Sequence, residues 1–237
     1  MLRVEDAART LLFALRVGRR RRWRSELASA RSPLDVLPIA MAAFGSNQNR
    51  IEILGLIERL KTEGHQVVCE IGMADGGTNF LLTHALPKVE FMVGIDLFVK
   101  GEPRLRYFAR PGQSLHYLGG SSQSPEMIAR VGAALAGRKL DLLFIDGDHT
   151  YAGVRSDFLN YRTFVREGGT IAFHDICPDF LTRFGRPTGN YSGDVPVLWN
   201  KLKKSFPHEE FVESKDQDGF GIGAIRHSSA VPIPPDL

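Results

Sequence analysis

The segment LDLLFIDGDHTY, Leu140 to Tyr151, sets an apolar run directly against Asp146, Gly147, Asp148 and His149. A buried strand has no packing reason to end in two carboxylates and an imidazole, so these groups call for a ligand. A second apolar run, TIAFHDI, ends the same way, in His174 and Asp175. Carboxylate oxygens and imidazole nitrogens ligate divalent metal ions, and imidazole moves protons near neutral pH. What the chain can do therefore turns on whether the ends of these two runs meet.

The surrounding pattern gives the kind of fold that has to position them. From residue 66 onward short apolar strands alternate with helices. QVVCEIG, EFMVGID, SLHYLGG, KLDLLFID and TIAFHDI read as five strands. SPEMIARVGAALAG reads as a helix with Ser124 as N-cap and Pro125 at its first position. YAGVRSDFLNYRTFVREGG reads as one long helix carrying Phe158, Tyr161 and Val165 on a single side, and VPVLWNKLKKSF as another. EEFVES and FGIGAIRH read as two closing strands, close enough in sequence to pair antiparallel at one edge. Near-continuous apolar strands between helices predict an α/β fold: a Rossmann-like, doubly wound, mostly parallel sheet with an antiparallel C-terminal edge. Ahead of it, residues 1–46 predict an N-terminal helical and basic arm, broken by Pro33 and Pro38 and stopped at Gly45. The domain is expected over 47–228 and a loosely packed tail over 229–237.

In such sheets ligands bind at the carboxyl ends of the strands. Those ends carry Glu70 and Gly72, Asp96, Ser121 and Ser122, Asp146 to His149, and His174 with Asp175. Gly72, Gly76 and Gly77 let backbone approach a ligand at a strand-to-helix turn. Asp96 lies 26 residues beyond Glu70, where an acid meets ribose hydroxyls in nucleotide-binding folds. The glycine spacing departs from the Gly-x-Gly-x-x-Gly of pyrophosphate sites. It suits a ligand with a ribose and a charged amino-acid end but no phosphates.

EIGMADGGTNFLL, GIDLF, LLFIDGDHTYAGVRSDFLNYRTFVREGGTIAFHDI and DVPVLW with GFGIGAI together resemble the class I S-adenosylmethionine-dependent methyltransferases. Within them they resemble the metal-dependent branch of cephalosporin hydroxylase-like proteins and sugar O-methyltransferases. The resemblance covers residues 47–226, and its specific part is the block from IDGDHTY to FHDI. It implies S-adenosylmethionine as cofactor. Glu70, Gly72, Gly76 and Gly77 would serve its methionine end, Asp96 its ribose, and Ser121 or Ser122 its adenine, with Asp146 adjoining.

Strands four and five are neighbours in that fold, which sets Asp146 beside His174 and Asp175. Carboxylates brought together in a buried site repel unless protonated or neutralised by a cation. Oxygen-rich ligation favours Mg²⁺. The resemblance likewise makes Asp146 and Asp175 metal ligands. His174 stands where relatives often carry a carboxylate; as a ligand it would shift preference toward Mn²⁺, and otherwise it supports the ligands from behind. His149 matches the general base of the sugar O-methyltransferases. The expected activity is Mg²⁺-dependent O-methylation of a sugar or glycoside hydroxyl, on a small-molecule or oligosaccharide acceptor. A catechol-type acceptor, a non-haem iron hydroxylase and a non-catalytic scaffold are the alternatives.

The chain has 237 residues, 43% hydrophobic and 24% charged, enough for one sizeable core. Neither a secretory pattern nor a spanning segment is evident, so a cytoplasmic protein is expected, with Cys69 and Cys177 as free thiols. Net charge is +3, yet Arg16 to Arg24 holds six arginines and the remainder has 24 basic against 27 acidic residues. No nucleic-acid partner is expected. The arginine run reads either as a peripheral contact with an anionic surface or as a solvated or intersubunit arm. Apolar faces on the N-terminal helices suggest a homo-oligomer, here a dimer.

Overall fold

The computed structural model describes the backbone of residues 2–237 and the side chains from residue 7 onward. Three helices open the chain: α1 (Leu2–Leu15), α2 (Val17–Ser29) and α3 (Pro33–Ala43). Then follow α4 (Arg50–Lys61), β1 (Val67–Ile71), α5 (Gly77–Ala85), β2 (Phe91–Asp96), α6 (Glu102–Phe108) and β3 (Ser114–Gly119). The second half holds α7 (Pro125–Leu135), β4 (Leu140–Ile145), α8 (Tyr151–Tyr161), β5 (Val165–His174), α9 (Phe180–Phe184), α10 (Val195–Leu202), β6 (His208–Phe211) and β7 (Ile222–Arg226).

The seven strands form one sheet in the order β3-β2-β1-β4-β5-β7-β6. The first five run parallel, while β7 pairs antiparallel with both β5 and β6. Side chains alternate between its faces. Val68, Leu142 and Phe144 join α3, α4, α5 and α6 on one face, while Cys69, Ile71, Leu143 and Ile145 join α7, α8 and α10 on the other. Both faces are therefore dry, which is why these strands lack the polar alternation of a half-exposed sheet. Strand order reverses between β1 and β4, so the crevice for a ligand opens at their carboxyl ends.

Local signals set most boundaries as expected. Ser124 caps α7, accepting from the Met127 N–H at 3.1 Å ahead of Pro125 at the first turn. Two expectations fail. The long helix predicted over 151–169 ends at Tyr161; after a single 3₁₀ turn, Val165 already pairs with Leu140 as the first residue of β5. The helical spacing of Val165 is coincidental: this β-branched residue extends the strand, and the register shifts between Leu140 and Leu142 to absorb it. The tail is not loose. Leu237 is buried, and the Arg155 Nε donates to its carbonyl at 2.7 Å. Helix α6 and the short α9 lie in stretches where no element was expected. Among the described residues, no helix is long and apolar enough to cross a membrane.

Candidate active site

The strand ends of β1, β2, β4 and β5, the segment after β3 and the loop before α10 surround one cavity of about 780 Å³. That lies within the usual range for a small-molecule site, about 300–1,000 Å³. One end is lined by Gly72, Ala74, Asp96, Leu97, Ser121 and Ser122, the other by Asp146, His149, His174, Asp175, Tyr191 and Phe220.

The first end is built by close backbone approach. Gly72 sits at φ +85°, and a Cβ there would lie 1.9 Å from the Asp146 carbonyl oxygen. Only glycine lets the β1 and β4 ends come this near. The Asp96 carboxylate accepts from the Met73, Ala74 and Phe98 N–H groups, each at 2.9 Å. A carboxylate offers about four acceptor positions, so this one is fixed by backbone with capacity left for a hydroxyl. Glu70, Gly76 and Gly77 are not on the cavity wall. Glu70 is completely buried behind it, and burial pushes its carboxyl well above the usual range. Gly77 faces α3 instead, where a Cβ would meet the Gly45 carbonyl oxygen.

At the second end the two acids do converge. One oxygen of Asp146, one of Asp175 and a ring nitrogen of His149 all lie within 4.8 Å of one another. His149 Nε2 is 3.6 Å from both Asp146 Oδ1 and Asp175 Oδ2. Its Nδ1 lies 2.9 Å from the Tyr191 carbonyl, which can only accept. The proton is thus held on Nδ1 of the neutral ring, and the Nε2 lone pair faces the acids. The Tyr191 ring stacks on the imidazole at 5.8 Å between centroids. Asp175 reaches the cluster because its backbone turns left-handed, φ +61°, a conformation aspartate tolerates better than most residues. Its Oδ1 accepts from the Phe220 N–H at 3.1 Å.

His174 takes a different place. It is almost fully buried, and its Nδ1 lies between the acids, 3.1 Å from Asp146 Oδ1 and 3.0 Å from Asp175 Oδ2. Burial disfavours charge on this ring, but the Asp146 and Asp175 carboxylates outweigh it and push its pKa to about 10. In return His174 and His149 hold Asp146 down to about 2 against the opposing effect of burial. Burial also lowers His149, and its acidic neighbours, Asp146 foremost, more than compensate, leaving it raised. The compact group of two acids and one imidazole thus contains His149, while His174 lies against both acids on their buried side.

Sequence patterns miss several contributors. Gln48 donates from Nε2 to Asp146 Oδ2 at 2.9 Å. Tyr191 and Asn190 arrive on the loop before α10, which is moored where the Ser192 N–H donates to Asp179 at 2.9 Å and the Asn190 side chain to the Asp218 carbonyl at 2.9 Å. Asp148 is a turn residue, accepting from the Thr150 N–H and from the Gln123 side chain, both at 2.9 Å.

Two oxygen ligands beside an imidazole, braced by further donors, make a donor set that fits a hard divalent cation. A cavity with a backbone-fixed acid at one end and the acid–imidazole cluster at the other fits a nucleoside-bearing donor beside an acceptor.

Residues 69–176, just under half of the chain, match the family model described as a methyltransferase domain. An uncharacterized protein of Acanthamoeba polyphaga mimivirus is 33% identical over 112 residues, 45% of this chain. The chain spans about half the length of that curated relative, 49%. Among solved structures, an O-methyltransferase from Bacillus cereus in complex with SAH superposes with a TM-score of 0.58 at 13% identity, covering 82% of this chain and 90% of that one. TomG, the O-methyltransferase from Streptomyces achromogenes involved in tomaymycin synthesis, bound to SAM, gives 0.58 at 15%, covering 84% and 91%. The MycE methyltransferase of mycinamycin biosynthesis, bound to Mg and SAH, gives 0.55 at 15%, covering 86% of this chain and 58% of that one. Residues 69–176 thus match a methyltransferase-domain model, and the chain shares its fold with these solved methyltransferases.

Proposed function

We propose that the chain is an O-methyltransferase dependent on S-adenosylmethionine and a divalent metal, Mg²⁺ in the first instance, acting on a sugar or glycoside hydroxyl. The observation that carries the reading is the meeting of Asp146, His149 and Asp175 within 4.8 Å, in the same cavity as Gly72 and Asp96. The neighbours support it: TomG and the Bacillus cereus enzyme are O-methyltransferases, and MycE was solved with Mg and SAH. The sugar acceptor rests on the resemblance of the IDGDHTY–FHDI block to the sugar-modifying branch.

In this reading Gly72 and Asp96 hold the donor, with Ser121 and Ser122 beside its base. Asp146 and Asp175 hold the metal, and His174 and Gln48 keep their carboxylates in place. A divalent cation there would neutralise the paired carboxylates and stabilise the oxygen anion of a substrate that has lost its proton. His149, its Nδ1–H anchored on Tyr191, takes the hydroxyl proton at Nε2. The freed oxygen then attacks the methyl group, forming the C–O bond as the bond to sulfur breaks. The cavity walls hold the reacting atoms at contact distance, which supplies much of the acceleration.

Calorimetric titration with S-adenosylmethionine, with and without Mg²⁺, followed by transfer of labelled methyl to a panel of glycosides and catechols, tests the reading. Binding, transfer to a glycoside and loss of transfer in EDTA are expected. No binding in either titration overturns it, and transfer only to catechols overturns the sugar assignment. Replacing His149→Ala should cut turnover about 10²- to 10⁴-fold with donor and metal affinity retained. Loss of metal affinity in that variant would make His149 a ligand and not the base.

A further inference from the structure

The arginine-rich segment has no role in the cavity, and its structure divides its residues into two sets. One set packs inward. Trp23 stacks on Phe13 with centroids 6.4 Å apart, and the Arg20 guanidinium lies over Phe13 and Tyr107 at 5.4 and 5.1 Å. These contacts fold α2 back along α1 and fix the pair against α6, whose Phe108 also meets Phe13. The other set is exposed: Arg16, Arg19, Arg21, Arg22 and Arg24, of which Arg19 and Arg24 also lie over the rings of Trp23 and Tyr107, at 5.8 and 5.3 Å. Only Arg22 among them has an ion-pair partner among the described side chains, Glu26, the one carboxylate of α2.

The same helix pair exposes large apolar side chains. Leu11, Leu12, Leu15 and Val17 are all exposed, Leu15 to 69%. Leu11 and Leu15 are four apart on α1 and share a face. A long apolar side chain left in water beside unneutralised arginines is the composition of an interfacial helix, apolar groups seated among acyl chains and cations among head groups.

We infer that the α1–α2 pair is a docking element for an anionic lipid surface. Charge argues against a two-fold contact centred on this pair, which would bring two copies of a net-positive segment together. Exposed leucines decide against a nucleic acid, whose phosphates gain nothing from them. The rest of the chain is slightly acidic, so attraction to an anionic surface is concentrated at this pair and orients the molecule on it. The Arg9–Asp75 ion pair ties α1 to the turn after β1, next to Ala74 on the cavity wall. The docked surface is therefore anchored to the turn that borders the donor end of the site.

The test is sedimentation of the full chain with vesicles of phosphatidylcholine alone and of phosphatidylcholine mixed with phosphatidylserine. Binding to the mixed vesicles alone, weakening as salt rises, is expected. The triple variant Arg19→Gln, Arg21→Gln, Arg24→Gln should lose on the order of a hundredfold in affinity, about fivefold per cation. The double variant Leu11→Ser, Leu15→Ser should lose about tenfold or more on vesicles while its binding to heparin is unchanged. Thermal melts matching the parent chain show that both variants, altered only at exposed positions, are folded. Absence of vesicle binding, equal binding to both vesicle types, or a leucine variant as tight as the parent would overturn the inference. So would a dimer in light scattering that the leucine variant abolishes, since the apolar row would then belong to a second copy.

Discussion

Two carboxylates and an imidazole meet at Asp146, Asp175 and His149, and the supporting donors are as informative as the ligands. Gln48 reaches Asp146 from the segment before α4, across a sequence separation of 98 residues. Removing such an outer partner usually costs metal affinity about 10–100-fold. Gln48→Ala should therefore weaken Mn²⁺ binding within that range, and Asp175→Asn should exceed it, both followed by paramagnetic titration of the free ion. Equal affinity in Asp175→Asn and parent would remove Asp175 from the ligand set. The acids and histidines were legible because each follows an apolar strand that must end at the ligand-binding edge. Gln48 and Tyr191 were not, since they stand on segments without periodicity and are brought in by tertiary contacts alone. Nor could spacing tell that His174 is buried between the acids while His149 stays partly open to the cavity. That depends on the left-handed turn at Asp175 and the depth at which β5 ends.

Helix α8 shows how an element couples the site to stability. Its N-cap Thr150 accepts from the Gly153 N–H at 3.1 Å directly after His149. About two turns on, Asp157 is completely buried beneath Gly147. Burial pushes its carboxyl up to about 6 against the opposing pull of Ser122. A carboxyl raised in the folded state binds its proton more tightly there than in the unfolded chain. Its contribution is thus fully present below the unfolded value near 3.8 and is lost as pH rises through about 6. Asp157→Asn should flatten that slope and stabilise the protein above the window by roughly 2–3 kcal/mol, read from urea unfolding at several pH values. An unchanged slope would contradict the assignment. The boundary between α8 and β5 was the poorest reading of the sequence: Val165 satisfies both a helical stripe and a strand, and only pairing with Leu140 decides between them.

At the scale of the whole molecule, the mostly parallel sheet, its antiparallel edge and both dry faces followed from the alternation of apolar strands with helices. The place of the N-terminal helices did not. Helix α3 is part of the core, with Val36, Leu37, Ile39 and Ala40 buried, and Gly77 at the start of α5 packs on the Gly45 carbonyl just beyond it. Among the described side chains, helices α1 and α2 add half-buried groups to the core, among them Phe13, Trp23 and Leu27. Removing residues 1–29 should leave a cooperative thermal transition at reduced temperature. Removing residues 1–43 should abolish the transition, because each large apolar side chain lost from the core forfeits about 1.5–3 kcal/mol. A cooperative melt in the shorter chain would show that α3 is dispensable.

The most direct measurement is anomalous diffraction from crystals grown with Mn²⁺ and S-adenosylhomocysteine. The account expects one strong peak about 2.1 Å from oxygens of both Asp146 and Asp175, with the sulfur of the nucleoside in the same cavity. Carboxylates turned apart, with no peak between them while the nucleoside is bound, would contradict it.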